Sequence, residues 1–150
     1  MSEVIVITSG KGGAGKSTVT AGLGNALSRL TGRVLLIDAD MRKPTVHKYF
    51  NIESRVGLSN LLSGMNSAKE CVQSIEDMPN LSVITSGILP PNPSELLGSS
   101  AMTKVLSDFE DEFQQALINK KLNENTETLF MAANTEHMFL SSSMIKQVCI

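Results

Sequence analysis

The chain has 150 residues, 41% of them hydrophobic and 4% aromatic, with a formal net charge of -2. That is long enough for one domain with a proper core, and the near-neutral balance without a basic run argues against nucleic acid as the main partner. Cys71 and Cys149 stand too far apart to form a metal or redox motif, no basic n-region precedes Val4, and no apolar run approaches membrane length, so a soluble cytoplasmic protein with free thiols is expected.

The β-branched run Val4-Ile5-Val6-Ile7 predicts a strand over 3–7. The glycine-rich stretch GKGGAGKS, Gly10 to Ser17, follows at once. Gly10, Gly15, Lys16 and Ser17 fit the G-x-x-x-x-G-K-[ST] phosphate loop. Glycines let such a loop curl until successive N–H groups point at one anion. The helix that follows adds free N–H groups and its positive dipole end. The candidate phosphate-binding residues are Gly10, Lys11, Gly12, Gly13, Ala14, Gly15, Lys16, Ser17 and Thr18. Lys16 reaches for the β/γ-phosphates in this motif, and the Ser17 hydroxyl helps hold Mg²⁺.

From Ser17 to Leu30 the pattern is helical, with Val19, Leu23, Ala26, Leu27 and Leu30 forming one apolar face. Gly22 and Gly24 weaken that helix by about 1 kcal/mol each, so packing must hold it. Gly32 is a natural stop. The apolar run Val34-Leu35-Leu36-Ile37 then predicts a buried parallel strand over 33–38. It ends in Asp38-Ala39-Asp40, which alternation puts on one side as a pair of carboxylates. Beside a phosphate loop such a pair suits Mg²⁺ and a nucleophilic water or hydroxyl; alone it would merely cap a strand end.

Lys11, five residues before Lys16, resembles the deviant phosphate loop of the septum-positioning and plasmid-partition ATPases. The run VLLIDADMRKPTVHKYF resembles the bacterial tyrosine kinases of capsule and exopolysaccharide synthesis, whose D-x-D-x-R core is matched by Asp38, Asp40 and Arg42. LSNLLSG from Leu58 and GILPPNPSELL from Gly87 continue the likeness, which covers residues 1 to about 107. The resemblance implies Mg-ATP or ADP binding, with Lys11 and Lys16 on phosphate, Ser17 and Asp38 on the metal side, and Asp40 near the reacting group. His47 reads as an exposed structural residue and Arg42-Lys43 as a solvated pair. A third strand is predicted over 81–85. A helix is predicted from Asn92, with Pro93 in its first turn and Glu95 closing a capping box.

The remainder departs from those kinases. Their second acidic motif is absent, their tyrosine cluster is missing, and Tyr49 is the only tyrosine. Residues 108–150 resemble phosphopantetheine adenylyltransferase, through Asp108-Phe109-Glu110, the 117–122 segment, 127–131 and 139–146. That resemblance maps Ser141, Ser142 and Ser143 to a phosphate-contacting turn; otherwise they cap a helix carrying Met144, Ile145 and Val148. No T-x-G-H segment is present, so adenylyl transfer is not implied. Two families meeting in one domain suggest an engineered chimera, parts 1–107 and 108–150. Met102, Val105, Leu106, Phe109, Phe113, Ala116 and Leu117 keep helical spacing, predicting one crossover helix from Ser100 to about Leu122.

The expected fold is α/β: a three-layer sandwich with a mostly parallel four-stranded sheet (3–7, 33–38, 81–85 and 127–132), phosphate-loop NTPase-like in its first half and nucleotidyltransferase-like in its second. The fourth strand is expected between the first two, which leaves the first at an edge open to self-association. The expected function is a chimeric protein binding Mg-ATP or ADP with little or no turnover. The alternative is an active ATPase or tyrosine autokinase, and adenylyl transfer is a third reading.

Overall fold

The strand from Val34 to Asp38 is the axis of the molecule. Its sequence, VLLID, is apolar through four residues, and all five are buried. A strand apolar on both faces needs a layer against each face and a neighbour along each edge, and this one has all four. The computed structural model describes residues 3–8, 16–30, 32–109, 115–119 and 145–149, with side chains described over 18–30 and 32–109.

The described strands are β1 (Glu3–Thr8), β2 (Val34–Asp38), β3 (Gln73–Ile75), β4 (Met78–Ile84), β5 (Gln115–Asn119) and β6 (Ile145–Cys149), in one sheet of order β3-β4-β2-β5-β1-β6. Every neighbouring pair is parallel except β3 with β4. The helices are α1 (Lys16–Leu30), α2 (Val46–Phe50), α3 (Leu58–Leu62), α4 (Ala68–Cys71), α5 (Pro93–Leu97) and α6 (Ser100–Phe109).

Alternation along β2 divides the core in two. Leu35, Ile37 and Ala39 pack with Leu58, Ile84, Leu97, Met102, Val105, Leu106 and Phe109, so α3, α5 and α6 cover one face. Val34 and Leu36 pack with Leu81, Val83 and Val46, with Leu23 and Leu27 of α1 against them. The result is layers on both faces of the sheet, as expected, but on six described strands rather than four, because β3 and β6 add to its edges. Each fully buried Leu or Ile of β2 contributes about 1.5–3 kcal/mol relative to exposure.

Helix α1 is rotated from its predicted face. Thr20, Ala21, Gly24 and Ser28 are its buried residues, while Val19, Ala26 and Leu30 are exposed, Leu30 at 81%. Small residues at spacing of four let the helix backbone lie close to the sheet, and the amide of Asn80 in β4 donates to the Ser28 carbonyl at 3.1 Å. Gly24 therefore serves packing, which a purely apolar count along the helix misses. Gly32, at φ 111, ends the connection as expected.

Three further expectations are corrected. The single helix through 100–122 is two elements: α6 stops at Phe109, and Gln115–Asn119 is strand β5. Residues Ala116, Leu117 and Ile118 fit both a helical face and a short buried strand. Pairing on both sides decides it, because Leu117 is in register with Ile5 of β1 and with Leu36 of β2. That place between β1 and β2 is the one assigned to 127–132, a stretch outside the described residues. The helix expected to carry Ile145 and Val148 is strand β6, held by its pairing along β1 rather than by any local pattern. Finally, β1 is not an edge: β6 pairs along its other side from Val4 to Thr8. The basis for self-association through β1 is thereby removed.

Candidate functional site

In a parallel sheet the strands end at one rim, and ligands bind in the crevice there. Thr8, Asp38, Ile84, Asn119 and Cys149 are the last residues of β1, β2, β4, β5 and β6. Helix α1 starts at Lys16, on the same rim as the end of β1. The connecting loop residues Gly10, Lys11, Gly12, Gly13, Ala14 and Gly15 lie outside the described residues. So do Ser141, Ser142 and Ser143. Lys16 and Ser17 form the first turn of α1, and Thr18 beside them is exposed.

The acidic pair is the best-defined part of the site. Asp38 is fully buried and Asp40 is 9% exposed. One Asp38 oxygen accepts the Asp40 N–H at 3.1 Å, and the other accepts the Val46 N–H at 3.3 Å. One oxygen of Asp40 accepts the N–H groups of Arg42 and Lys43 at 3.3 and 3.1 Å. An ionised carboxylate only accepts hydrogen bonds, so the backbone from 39 to 46 is wound around the two acids and satisfies itself through them. Asp38 thus fixes both the end of β2 and the start of α2. Ala39 and Met41, alternating with the acids, are buried in the core cluster on the α3 side.

Arg42 and Lys43 are exposed, as a solvated pair should be. His47 is half-buried rather than exposed, and its Nδ1 is buried with no hydrogen-bond partner in the structure. Cys71 is buried, and burial pushes its thiol pKa up, with Glu70 adding to the effect. Among the described residues, no group of three or more His, Cys, Asp or Glu converges as a metal site, and no helix is long and apolar enough to cross a membrane.

Two features at this rim escape a reading of the sequence alone. Asn119, ending β5, is in register with Asp38 on one side and with Ile7 on the other. It stands between the phosphate-loop strand and the acidic strand. Next to β2 on the other side, Thr85 and Ser86 are fully buried, and Ser59 and Asn60 at the start of α3 are nearly so. The polar residues of GLSN and TSG are the only signal for that cluster, and on a sequence they read as loop.

The profile of the CbiA family, the CobQ/CobB/MinD/ParA nucleotide binding domain, matches residues 5–149. The chain is 46% identical over 101 residues to the tyrosine-protein kinase YwqD of Bacillus subtilis, covering 67% of this chain and 42% of that protein. It thus spans less than half the length of that relative. The crystal structure of the chimerical protein CapA2B2 superposes with a TM-score of 0.82 at 32% identity, covering 99% of this chain and 63% of the other. The septum site-determining protein MinD from Pyrococcus horikoshii, complexed with Mg-ADP, shares the fold, with a TM-score of 0.71 at 22% identity over 88% of this chain and 55% of that one. The match over residues 5–149 places this chain in the CobQ/CobB/MinD/ParA nucleotide-binding family.

Proposed function

We propose that the chain binds Mg-ATP or Mg-ADP at the C-terminal rim of its sheet, between the Gly10–Ser17 loop and the Asp38–Asp40 turn, with little or no turnover. The observation that carries this reading is the placement of the α1 N-terminus and two buried carboxylates on one rim, with only β5 between their strands. In this reading the Gly10–Thr18 backbone and Lys11 and Lys16 hold phosphate oxygens, and the start of α1 adds N–H donors and dipole.

The donor set fits Mg²⁺. Asp38, Asp40 and the Ser17 hydroxyl are all oxygen ligands, and two buried acids are too few for a protein cage. Mg²⁺ in nucleotide sites is held in the same sparse way, by one or two protein oxygens with water and phosphates. Ser17 and Asp38 would hold it, Asp38 through water, since the backbone already occupies one position on each of its oxygens. When bound, the ion neutralises phosphate charge. Asp40 lies on the side of the reacting group.

The reading of low turnover is supported by the residue that ends β5. The register position between the loop strand and Asp38 is the neutral Asn119. An active kinase or ATPase needs several converging charges there. An active ATPase or tyrosine autokinase, the latter after the relative YwqD, is the alternative function. The chain is taken as one α/β domain over 1–150. The derivation of 108–150 from an adenylyltransferase, and with it a chimeric origin, rests on the sequence likeness of that stretch. Nucleotide binding does not depend on where that stretch came from, and β5 and β6 both have places in the sheet. A cytoplasmic location fits the buried free thiol of Cys71.

Calorimetric titration of the full chain with Mg-ADP and Mg-ATP tests the reading. Binding by the wild type and its loss in Lys16→Ala, with an unchanged circular dichroism spectrum, is the expected result. Equal affinity in Lys16→Ala would sink the phosphate-loop site.

A further inference from the structure

The chain leaving β4 does not wander over the surface; it is laced to the start of α3. The Leu58 N–H donates to the Thr85 carbonyl at 2.7 Å, and the Ser59 N–H donates to the Ser86 carbonyl at 3.0 Å. One side-chain oxygen of Asn60, a residue 2% exposed, accepts the Gly57 N–H at 3.1 Å and the Ile88 N–H at 3.3 Å. The Ser59 hydroxyl donates to the Ile88 carbonyl. Both backbone polar groups of Ile88 are thus held by two buried side chains of α3.

The surrounding glycines are shaped to this clamp. A Cβ on Gly57 would lie 2.2 Å from the Thr85 carbonyl oxygen. A Cβ on Gly87, at φ +79°, would lie 2.3 Å from the accepting oxygen of Asn60. No other residue type fits at either position without moving the lacing. Two glycines, a serine and an asparagine therefore serve one local geometry.

That geometry touches the acidic turn from behind. Leu58, the first residue of α3, and Ile84, the last of β4, belong to the same core cluster as Ala39 and Met41. Ala39 and Met41 alternate with Asp38 and Asp40, so the lacing sets the surface against which the carboxylates are held. Interiors are packed too tightly for that surface to shift without the turn following.

We propose that Asn60 is a positioning residue for the Asp38–Asp40 turn, acting through the α3–β4 lacing, so that it governs the Mg²⁺-dependent part of nucleotide affinity and leaves the phosphate-loop part alone. This rests on the nucleotide reading of the site. The Asn60 oxygen is taken up by the Gly57 and Ile88 N–H groups; its role is to support the packing behind the acids, as supporting residues do around other sites.

The test is calorimetric titration of ADP, with Mg²⁺ and with EDTA, into the full chain and its variants. Wild type should bind more tightly with Mg²⁺. In Asn60→Leu the Mg²⁺ enhancement should fall about tenfold, while ADP affinity in EDTA stays within about twofold. Asn60→Asp keeps an oxygen that accepts both N–H groups and should restore the enhancement. Ser59→Ala, which frees the Ile88 carbonyl and removes the 3.5 Å contact to the Asn60 oxygen, covers the case in which Asn60→Leu does not fold; a smaller loss, confined to Mg²⁺, is expected. The proposal is overturned if affinity falls equally with and without Mg²⁺, if it falls in neither, or if the wild type shows no Mg²⁺ enhancement. Unchanged binding in Lys16→Ala would instead overturn the nucleotide site itself.

Discussion

Asp38 and Asn119 are register partners at the C-terminal ends of β2 and β5. One strand ends in an acidic residue and its neighbour in a neutral asparagine. Because β5 runs between β2 and the phosphate-loop strand, Asn119 holds the most central position of that rim.

Phosphate release from Mg-ATP should accordingly be slow, well below the roughly one per second at which kinases start. Losing one electrostatic contact at such a centre typically costs about 100- to 1000-fold in rate. Asn119→Asp should recover part of this, raising release at least about tenfold. A wild-type turnover number near one per second would show that the amide is no handicap.

Asp38 is structural as well as chemical. Its two oxygens each accept a backbone N–H, one from Asp40 and one from Val46. Asn at this position offers only one oxygen and turns an N–H toward the other donor. A buried N–H left without an acceptor costs about 1–3 kcal/mol, so Asp38→Asn should lower Tm by about 3–10 °C and also abolish any Mg²⁺ enhancement of ADP affinity. A Tm equal to wild type would mean the turn is not wound around this carboxylate.

The glycines separate by the space around them. Gly22 lies inside α1 with nothing within 4 Å of an added Cβ. Gly22→Ala should stabilise the chain by about 0.5–1 kcal/mol through helix propensity and a less flexible unfolded state. Gly57→Ala should destabilise it by more than about 1 kcal/mol, because the new methyl meets the Thr85 carbonyl and parts the lacing. Urea unfolding midpoints of the two variants should move in opposite directions; movement in the same direction would refute this local geometry.

The legible parts of the sequence were those where one signal had one meaning. Val34 to Ile37 can only be a buried strand, and the glycine loop before an apolar helix has few other uses. The α6–β5 passage was different. Phe109, Ala116 and Leu117 carry a helical period, yet residues 115–119 also make a five-residue strand, and the unfilled space between β1 and β2 decides the matter. No local pattern contains that information. The same holds at the rim: Asn60 and Asn119 are single polar residues in loop-like or ambiguous surroundings, and only the lacing of α3 to the chain after β4 and the pairing of β5 with its neighbours give them a place.

The serine run offers the sharpest remaining contrast. Ser141, Ser142 and Ser143 lie outside the described residues, but the element they lead into does not. Ile145 starts β6 in register with Val4, and Cys149 ends it in register with Thr8. β6 therefore begins at the end of β1 away from the phosphate loop. A strand N-terminus lacks the row of free N–H groups that makes a helix start attractive to anions. Residues 145–149 are thus no helix whose dipole the three hydroxyls could share. Replacing all three by alanine should leave ADP and ATP affinities within about twofold of wild type, the scatter of independent sites, whereas Lys16→Ala removes binding. A tenfold or greater loss in the triple variant, with its thermal midpoint unchanged, would bring the serines back to the nucleotide.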